Sequence, residues 1–141
     1  MFSFINNKLC KIEKPTMGIQ NYIAYYKLSK RIVVYVQIID MGGIEKYKLV
    51  NNIYYEKAIC FLLVYDITNK DSFNDCKNFF LDKIKENCKK DYKILLLGNK
   101  SDLEFDREII PERGSLFALE NNFGFKDLVL YLKMFLRLFK V

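Results

Sequence analysis

The sequence contains no histidine and no tryptophan, and its 4 cysteines lie far apart. Because no two cysteines form a CxxC pair, the usual cysteine patterns of zinc sites and redox dithiols are missing. Widely spaced, reduced thiols are typical of a cytosolic protein, and Cys60, inside an apolar run, is expected to be a core residue. Neither a Pro/Gly/Ser-rich linker nor an internal repeat divides the chain. We therefore expect one domain over residues 1–141.

Long uncharged apolar segments are missing as well, so we expect no membrane-spanning helix. Residues 1–8 lack the basic start and the apolar stretch of a secretory signal. Lysine and arginine together number 23 and aspartate and glutamate 17, which gives a net charge of 23 − 17 = +6. A positive charge favours acidic partners in general. Since the basic residues are scattered among acids, we expect an ordinary solvated surface and no nucleic acid as a partner.

Runs of β-branched and aromatic residues predict four strands. Residues 19–28 and 31–39 are expected to be two strands joined by a tight turn, and the glycines at 42–43 end the second. The short apolar runs 58–65 and 92–97 are typical of strands that are buried on both faces.

Helical segments are expected between and after these strands. Residues 45–56 are polar and compatible with a helix, and Asp71 or Ser72 is the candidate N-cap of the next helix. The proline at 111 suits the first turn of a third helix, and an apolar final helix is expected from Lys126 to the end. Strands alternating with helices predict a layered α/β domain with a mostly parallel sheet. The apolar side of the second helix comprises Phe73, Phe79, Phe80 and Ile84.

A cluster at 38–45 comprises the end of the second predicted strand, an acid and two glycines. Asp40, at the strand's end, is suited to hold Mg²⁺ through water. The glycine at 43 would let a backbone N–H approach a phosphate oxygen closely. A strand that ends in Asp-x-Gly-Gly is more often a plain turn, so this cluster alone does not decide between a binding site and a turn.

A second polar cluster, 98–102, follows the apolar run at 92–97. The Asp102 carboxylate can accept two hydrogen bonds from the N–H groups of guanine, while Asn99 and the stem of Lys100 would shape the rest of a base pocket. Adenine lacks that pair of donors, so the arrangement would discriminate between the two bases. An ordinary polar turn is the alternative.

Three segments occur in the order and spacing of Ras-type GTPases. Residues 15–19 resemble the first switch of that superfamily, residues 40–45 the second, and residues 99–102 the guanine motif. The chain is similar to Rab-family small GTPases from about residue 5 to about residue 122. Further segments resemble those typical of Rab proteins, namely 30–32, 54–58 and 63–68.

The resemblance implies a three-layer α/β fold of the P-loop-NTPase type, GTP or GDP as the ligand, and Mg²⁺ as the cofactor. Thr16 and Asp40 would hold the metal, and the Gly43 N–H would contact the γ-phosphate. The guanine base would be held by Asn99, Lys100 and Asp102.

The resemblance also implies trafficking effectors or regulators as partners, which bind the switch regions when GTP is present. Asn21 and Ile39 replace aromatic residues that Rab proteins commonly have, so effector specificity is expected to differ. The corresponding effector surface comprises Ile19, Asn21, Ile39 and Tyr54.

The phosphate-binding sequence of the superfamily, GxxxxGKS/T, does not occur in these 141 residues. Residues 4–8 resemble the end of the family's first helix, so the expected sheet lacks the first strand and the phosphate loop, as in an N-terminally truncated and degenerate GTPase. Ile44 stands where the family has the glutamine that orients the attacking water. We therefore expect nucleotide binding and hydrolysis to be impaired, and enzymatic activity to be absent or very weak.

The end of the sequence departs from the family too. After Asn122 the chain passes through 123–125 directly to the predicted final helix, so the last strand of the sheet is also expected to be missing. Without the first strand, the strands at 31–39 and 58–65 have no partner between them. We therefore expect low solubility or self-association.

No prenylation motif ends the chain, so both a cytoplasmic and a peripheral endomembrane location remain open. The final helix has an apolar and a basic side, and it either covers the sheet or lies on a membrane surface. The apolar side comprises Leu128, Leu132, Phe135 and Phe139, and the basic side Lys133, Arg137 and Lys140.

Three functional hypotheses remain open. The first is a Rab-like GTP-binding protein of vesicle trafficking with an impaired site. The second is a nucleotide-free pseudo-GTPase that presents a Rab-like surface to trafficking partners. The third is a basic domain that binds lipid surfaces or nucleic acid. A GxxxxGKS sequence encoded upstream of Met1 would restore an ordinary GTPase.

Overall fold

The computed structural model describes residues 18–27, 29–41 and 53–128. The chain divides into two compact units, of which one includes the described residues 18–41 and the other 53–128. Several sequence-predicted positions lie outside the described residues: Thr16 in the first switch, Gly43 and Ile44 in the second, and the final helix from residue 129 onward.

The first unit contains an antiparallel hairpin. Strand β1 (Ile19–Lys27) pairs with strand β2 (Val33–Met41) in one continuous register, from Ile19 opposite Met41 to Lys27 opposite Val33. Tyr25 and Tyr35 face each other across the pair, with ring centroids 4.8 Å apart and edge-to-face geometry. The two strands predicted from β-branched and aromatic content are confirmed, the second at Val33–Met41 instead of 31–39. Such side chains pack well on a pleated surface.

The second unit contains a three-stranded parallel sheet in the order β3-β4-β5. Strand β3 (Cys60–Asp66) pairs with β4 (Lys93–Asn99), and β4 pairs with β5 (Gly124–Asp127). Helices connect the strands, so the predicted mostly parallel α/β fold is confirmed. In a parallel sheet the carboxyl ends of neighbouring strands share one edge, and Asp66 accordingly lies opposite Asn99.

Strand β5 corrects the prediction that the last strand is missing. Its backbone pairs with β4 from Gly124 opposite Leu95 to Asp127 opposite Gly98. The sequence misled because a four-residue strand is too short to show alternation, and a glycine inside it resembles a connector. The predicted start of the final helix at Lys126 is also wrong, since Lys126 belongs to β5.

Three helices and one turn of 3₁₀ helix, Glu104–Asp106, complete the second unit as far as the structure describes it. Helix α1 (Ile53–Lys57) is a short turn of helix before β3. Helix α2 runs through Lys70–Asn74 and Leu81–Asn87, with a π-helical segment, Asp75–Phe80, between these two parts. Helix α3 (Pro111–Glu120) begins at the proline, as predicted. None of the described helices is long and apolar enough to cross a membrane.

The N-cap of α2 is Asn69, which corrects the predicted Asp71 or Ser72. The Asn69 side-chain oxygen accepts hydrogen bonds from the backbone N–H groups of Asp71 (2.9 Å) and Ser72 (3.1 Å). All three residues are good capping types, and only the backbone geometry decides between them: Asn69 is extended, whereas the helix has already begun at Lys70.

The core of the second unit lies between the sheet and helices α2 and α3. Tyr65, Phe73 and Phe117 form a chain of edge-to-face ring contacts, with centroids 5.0 and 5.7 Å apart. The prediction that β3 is buried on both faces is wrong, because its burial alternates: Val64 is 43% exposed, and Cys60 is exposed rather than in the core. The fully buried large side chains are Tyr65, Phe73, Ile67, Ile84, Leu96, Leu97, Ile109 and Leu128.

Candidate functional site

The carboxyl edge of the parallel sheet brings together the ends of β3 and β4. Asp66 and Asn99 are opposite each other in the register, and the Ile67 N–H donates to the Asn99 carbonyl oxygen at 3.1 Å. The predicted base-binding residues Asn99, Lys100 and Asp102 therefore lie on a turn that starts at this edge. We call residues 99–102 the base turn.

Lys100 gives the base turn its shape. Its backbone is left-handed, with φ 65°, a conformation that is uncommon for residues with a side chain. The Leu103 N–H donates to the Lys100 carbonyl oxygen at 2.8 Å and closes the turn. The Lys100 Nζ lies 2.5 Å from Asp66 Oδ2, so the lysine side chain lies across the end of β3.

Asp66 anchors that lysine, and sequence reasoning did not identify it as a site residue. Its Oδ1 accepts hydrogen bonds from the Thr68 N–H (2.9 Å) and the Thr68 hydroxyl (2.7 Å). Burial alone would raise the pKa of Asp66, but the hydrogen bonds from Lys100 and Thr68 outweigh it and hold the pKa below its ordinary value. Its position in the sequence could have identified it, because Asp66 follows the apolar run 58–65 in the same way as Asn99 follows the apolar run 92–97.

Asp102, by contrast, is exposed. Its carboxylate has no ion-pair partner within the part of the chain that the structure describes. The half-buried Asn99 and the Asp66-bound Lys100 occupy the same turn. The base turn therefore offers an acceptor pair to solvent beside a lysine that is already fixed, which is compatible with the predicted recognition of guanine.

Five residues after the base turn, the chain carries a charged side chain, Arg107, that sequence reasoning also missed. The guanidinium of Arg107 is only 8% exposed. It donates from Nε to Glu104 Oε1 at 2.8 Å and from Nη1 to Asp127 Oδ2 at 2.9 Å, and its Nη2 lies 2.8 Å from Glu104 Oε2. Its hydrogen bond to Glu104, opposed by burial, raises the pKa of Arg107 and lowers that of Glu104. The sequence did not indicate a role for this arginine, because its partner Asp127 is distant in sequence and their contact cannot be read from a local pattern.

Asp127 ends β5 and is packed tightly. Its Oδ1 accepts a hydrogen bond from the Tyr65 hydroxyl at 3.4 Å, and burial together with this carboxylate raises the pKa of Tyr65. Gly98 lies opposite Asp127 in the register. This position requires a glycine, since an added Cβ would lie 2.1 Å from Asp127 Oδ1 and 2.8 Å from the Tyr65 hydroxyl. The glycine thus makes room for the carboxylate that Arg107 binds.

The first predicted cluster is only partly described. Asp40 lies in β2 opposite Gln20 and is half-buried. Its proposed metal partner Thr16 and the phosphate contact Gly43 lie outside the described residues, so the predicted Mg²⁺ site stays a prediction. No group of three or more potential metal-ligating side chains occurs among the residues that the structure describes.

The predicted effector residues divide between the two units. Asn21 and Ile39 are cross-strand neighbours in the hairpin, and Ile19 lies at the end of the same pair of strands. Tyr54 lies in α1 of the second unit and is half-buried. The hairpin therefore holds three of the four residues, and their role in effector binding stays a prediction.

Comparisons with known proteins agree with this arrangement. The Ras family model matches residues 1–129. Ras-related protein Rab-11B of Dictyostelium discoideum is 38% identical over 103 residues, which are 73% of this chain and 46% of that protein. Human Ras-related protein Rab-12 is 35% identical over 118 residues (84% and 48%), and human Ras-related protein Rab-3B is 33% identical over 126 residues (89% and 56%).

The chain thus spans about half the length of the curated relatives that it matches. The family model covers most of the chain, and the three relatives named above are Rab proteins. The order of motifs, the parallel sheet and these matches agree with one another, and the resemblance to Rab proteins is confirmed. The chain belongs to the Ras family of small GTPases and is a Rab-like member of it.

Proposed function

We propose that this chain is a guanine-nucleotide-binding domain of the Rab type that acts in membrane trafficking, with the base turn as its guanine site. The observation that carries the proposal is the ion pair between Lys100 and Asp66, 2.5 Å long, at the shared edge of two parallel strands. It fixes one wall of a pocket next to a carboxylate that faces solvent. Ligands of open α/β sheets bind at this edge.

Recognition of guanine follows from the donors and acceptors. The two oxygens of Asp102 accept from the ring N–H and the exocyclic amino group of guanine, a donor pair that adenine lacks. The aliphatic stem of Lys100 covers one side of the base. Asp66 neutralises the lysine charge within the protein, so the ammonium group is not free to move to a phosphate.

The phosphates and Mg²⁺ belong to the other motifs. A threonine hydroxyl and an aspartate carboxylate, Thr16 and Asp40, are hard oxygen ligands of the kind that Mg²⁺ takes in combination with water and phosphate oxygens. The Gly43 N–H is a donor for the γ-phosphate. When bound, Mg²⁺ neutralises the phosphate charge, while the residues of this chain fix the base.

The 141-residue polypeptide is proposed to bind nucleotide weakly. It contains no GxxxxGKS/T sequence, whose backbone N–H groups and lysine surround the phosphates in the family. Hydrogen bonds to charged groups contribute ~1.5–3 kcal/mol each, so about five of them account for roughly 8–15 kcal/mol. A nanomolar complex has a total of about 12 kcal/mol. With Ile44 at the position of the catalytic glutamine, hydrolysis would be slow as well.

Titration of the purified 141-residue polypeptide with GDP and Mg²⁺ tests this proposal. By calorimetry we expect a dissociation constant weaker than micromolar. In ¹H–¹⁵N NMR spectra at millimolar GDP, we expect shifts of Asn99, Lys100 and Asp102 that ADP does not produce and that Asp102→Ala abolishes. Stoichiometric GDP retained through purification would contradict weak binding. A complete lack of shifts would contradict the guanine site.

The second candidate is a nucleotide-independent interaction module for trafficking effectors or regulators, located peripherally on endomembranes. The observation in its favour is the hairpin, where Ile23, Tyr25 and Tyr35 are 59%, 64% and 70% exposed. Tyrosine is among the residues that are enriched at protein interfaces. A lack of nucleotide-induced shifts, together with partner binding that Tyr25→Ser and Tyr35→Ser weaken, would favour this candidate.

A further inference from the structure

We propose that Arg107 is a positioning residue for guanine recognition: bound to Asp127 at the end of β5, it holds the segment that follows the base turn and thereby fixes Asp102. This inference rests on the proposed guanine site. The pair of Arg107 and Asp127 is nearly enclosed, with 8% and 16% of the two side chains exposed. It connects two parts of the chain that are distant in sequence.

Arg107 uses all three guanidinium nitrogens. Nε and Nη2 each lie 2.8 Å from an oxygen of Glu104, while Nη1 donates to Asp127 Oδ2 at 2.9 Å and to the Ile109 carbonyl oxygen at 2.7 Å. A planar fork with this many donors is specific to arginine. A lysine ammonium at the same position cannot reach both carboxylates and the carbonyl with the same geometry.

The segment that follows the base turn, residues 103–109, is held differently at its two ends. At the far end, the N–H groups of Glu108 and Ile109 donate to the Ile67 carbonyl oxygen at 2.9 and 3.0 Å. At the near end, Lys100, two residues before Asp102, is bound to Asp66. On the other side of Asp102, Glu104 is bound to Arg107, and Arg107 is bound to Asp127 in β5. Asp102 therefore lies between a connection to β3 through Lys100 and a connection to β5 through Arg107, and the second of these depends on the guanidinium and on Asp127.

Asp127 is a fixed anchor for this purpose. Its second oxygen accepts from the Tyr65 hydroxyl at 3.4 Å, and Tyr65 is 1% exposed. The absence of a side chain at Gly98 leaves the space that the carboxylate occupies. Removal of the guanidinium would leave a mostly enclosed carboxylate without its cation, which is costly, and the loop would lose its connection to the sheet.

Base selectivity separates positioning from a general contribution to stability. Inosine diphosphate lacks the exocyclic amino group of guanine, so one of the two hydrogen bonds to Asp102 is missing. A correctly placed carboxylate therefore prefers GDP by about tenfold or more, since a hydrogen bond to a charged group is at stake. If Asp102 is displaced, the preference for GDP over IDP is lost. If a variant is only less stable, its folded molecules keep that preference.

NMR titrations with GDP and with IDP at millimolar concentration, each with Mg²⁺, measure that ratio in the 141-residue polypeptide. We expect Arg107→Lys to reduce the GDP preference from about tenfold to about twofold. Arg113→Lys, at an exposed arginine whose guanidinium lies 5.4 Å from the Phe73 ring centroid, is the matched control and should keep the preference. Asp127→Asn preserves the side-chain volume and should reduce the GDP preference in the same way. It replaces Arg107→Lys in the test if that variant does not fold.

Amide hydrogen exchange without nucleotide gives an independent readout. For Arg107→Lys we expect exchange at residues 101–106 to become about tenfold faster, with the amides of β4 unchanged. A GDP preference that persists, or loop exchange that rises only in parallel with β4, would overturn the inference. If neither nucleotide causes any shift in the unaltered chain, the proposed function and the selectivity role both fail, and exchange alone decides whether Arg107 holds the loop.

Discussion

At the scale of single residues, the base turn depends on two side chains of opposite charge, Asp66 at the end of β3 and Lys100 directly after β4. Lys100 adopts a left-handed backbone, and backbone conformations of this kind occur often at functional sites, where surrounding contacts hold them in place. Asp66 supplies such a contact at 2.5 Å. The carboxylate is therefore as important for the shape of the turn as the residues of the turn itself.

Asp66 should make the stability of the domain depend on pH in the acid range. Its pKa is lowered in the folded chain because the hydrogen bonds from Lys100 and Thr68 outweigh burial. A lowered pKa stabilises the fold above the ordinary carboxyl pKa, and this contribution is lost as the pH falls through the folded value. In urea titrations we expect Asp66→Asn to lower the unfolding free energy by about 1–2 kcal/mol at pH 7, with a smaller difference near pH 3.

Asp91→Asn, at an exposed aspartate, is the control and should have little effect at either pH. A constant difference between Asp66→Asn and the unaltered chain from pH 7 to pH 3 would contradict the role assigned to the ionised carboxylate.

The base turn could be predicted from the sequence, and its supports could not. Asn99, Lys100 and Asp102 are adjacent in the chain, and a polar run after an apolar run shows their position directly. Arg107 and Asp127 are informative only together, and their contact depends on β5, a strand that the sequence did not predict. Non-local ion pairs of this kind require the sheet register, which no local pattern contains.

At the scale of secondary-structure elements, β4 and β5 leave no room for a side chain at Gly98. A Cβ at Gly98 would lie 2.1 Å from Asp127 Oδ1, an atom whose carboxylate is held by Arg107. At Gly124, in contrast, the nearest atom to an added Cβ is the mobile end of Leu95, Cδ1 at 2.8 Å. The same substitution thus meets a fixed neighbour in one strand and an adaptable one in the other.

We therefore expect Gly98→Ala to lower the unfolding free energy by about 2–3 kcal/mol, because the added methyl group must displace the carboxylate. Gly124→Ala should cost less than about 1 kcal/mol, since Leu95 can change rotamer. Thermal or urea unfolding of both variants provides the measurement. Equal effects at the two glycines would show that the space around Asp127 is not constrained.

The elements that the sequence predicted share strong local signals. The hairpin was visible from β-branched and aromatic residues, β4 from its apolar run, and α3 from Pro111. The alternating burial of β3 and the N-cap at Asn69 were not predicted. Both depend on which neighbours pack against the element, so tertiary contacts decide them rather than propensity.

At the scale of the whole molecule, all the strands that the structure describes except β4 lie at a sheet edge. Strand β3 ends the order β3-β4-β5, and β2 pairs with β1 on one side only, as far as the described residues show. Edge strands with exposed apolar residues tend to pair with other chains. Val64, in β3, is 43% exposed and is a suitable position at which to test this tendency.

Self-association of the 141-residue polypeptide is the expected result. Light scattering should give a mass above the 16.8 kDa of the monomer, and Val64→Lys should lower it because a charge on an edge strand opposes pairing. Leu119→Lys, on helix α3 at a residue that is 78% exposed, is the control and should not. A monodisperse monomer with a cooperative thermal transition would contradict the expectation.

The π-helical segment Asp75–Phe80 has a consequence for the phase of the long helix that contains it. A π-helical turn contains more residues than an α-helical one, so the second half of the helix is rotated relative to an uninterrupted helix by up to one residue step, about 100°. The spacing between consecutive buried positions widens accordingly from three or four residues to five between Cys76 and Leu81. Both halves of the helix can therefore bury apolar side chains against the same sheet, although the two sets do not follow one continuous α-helical spacing. The buried residues are Phe73 and Cys76 in the first half and Leu81 and Ile84 in the second.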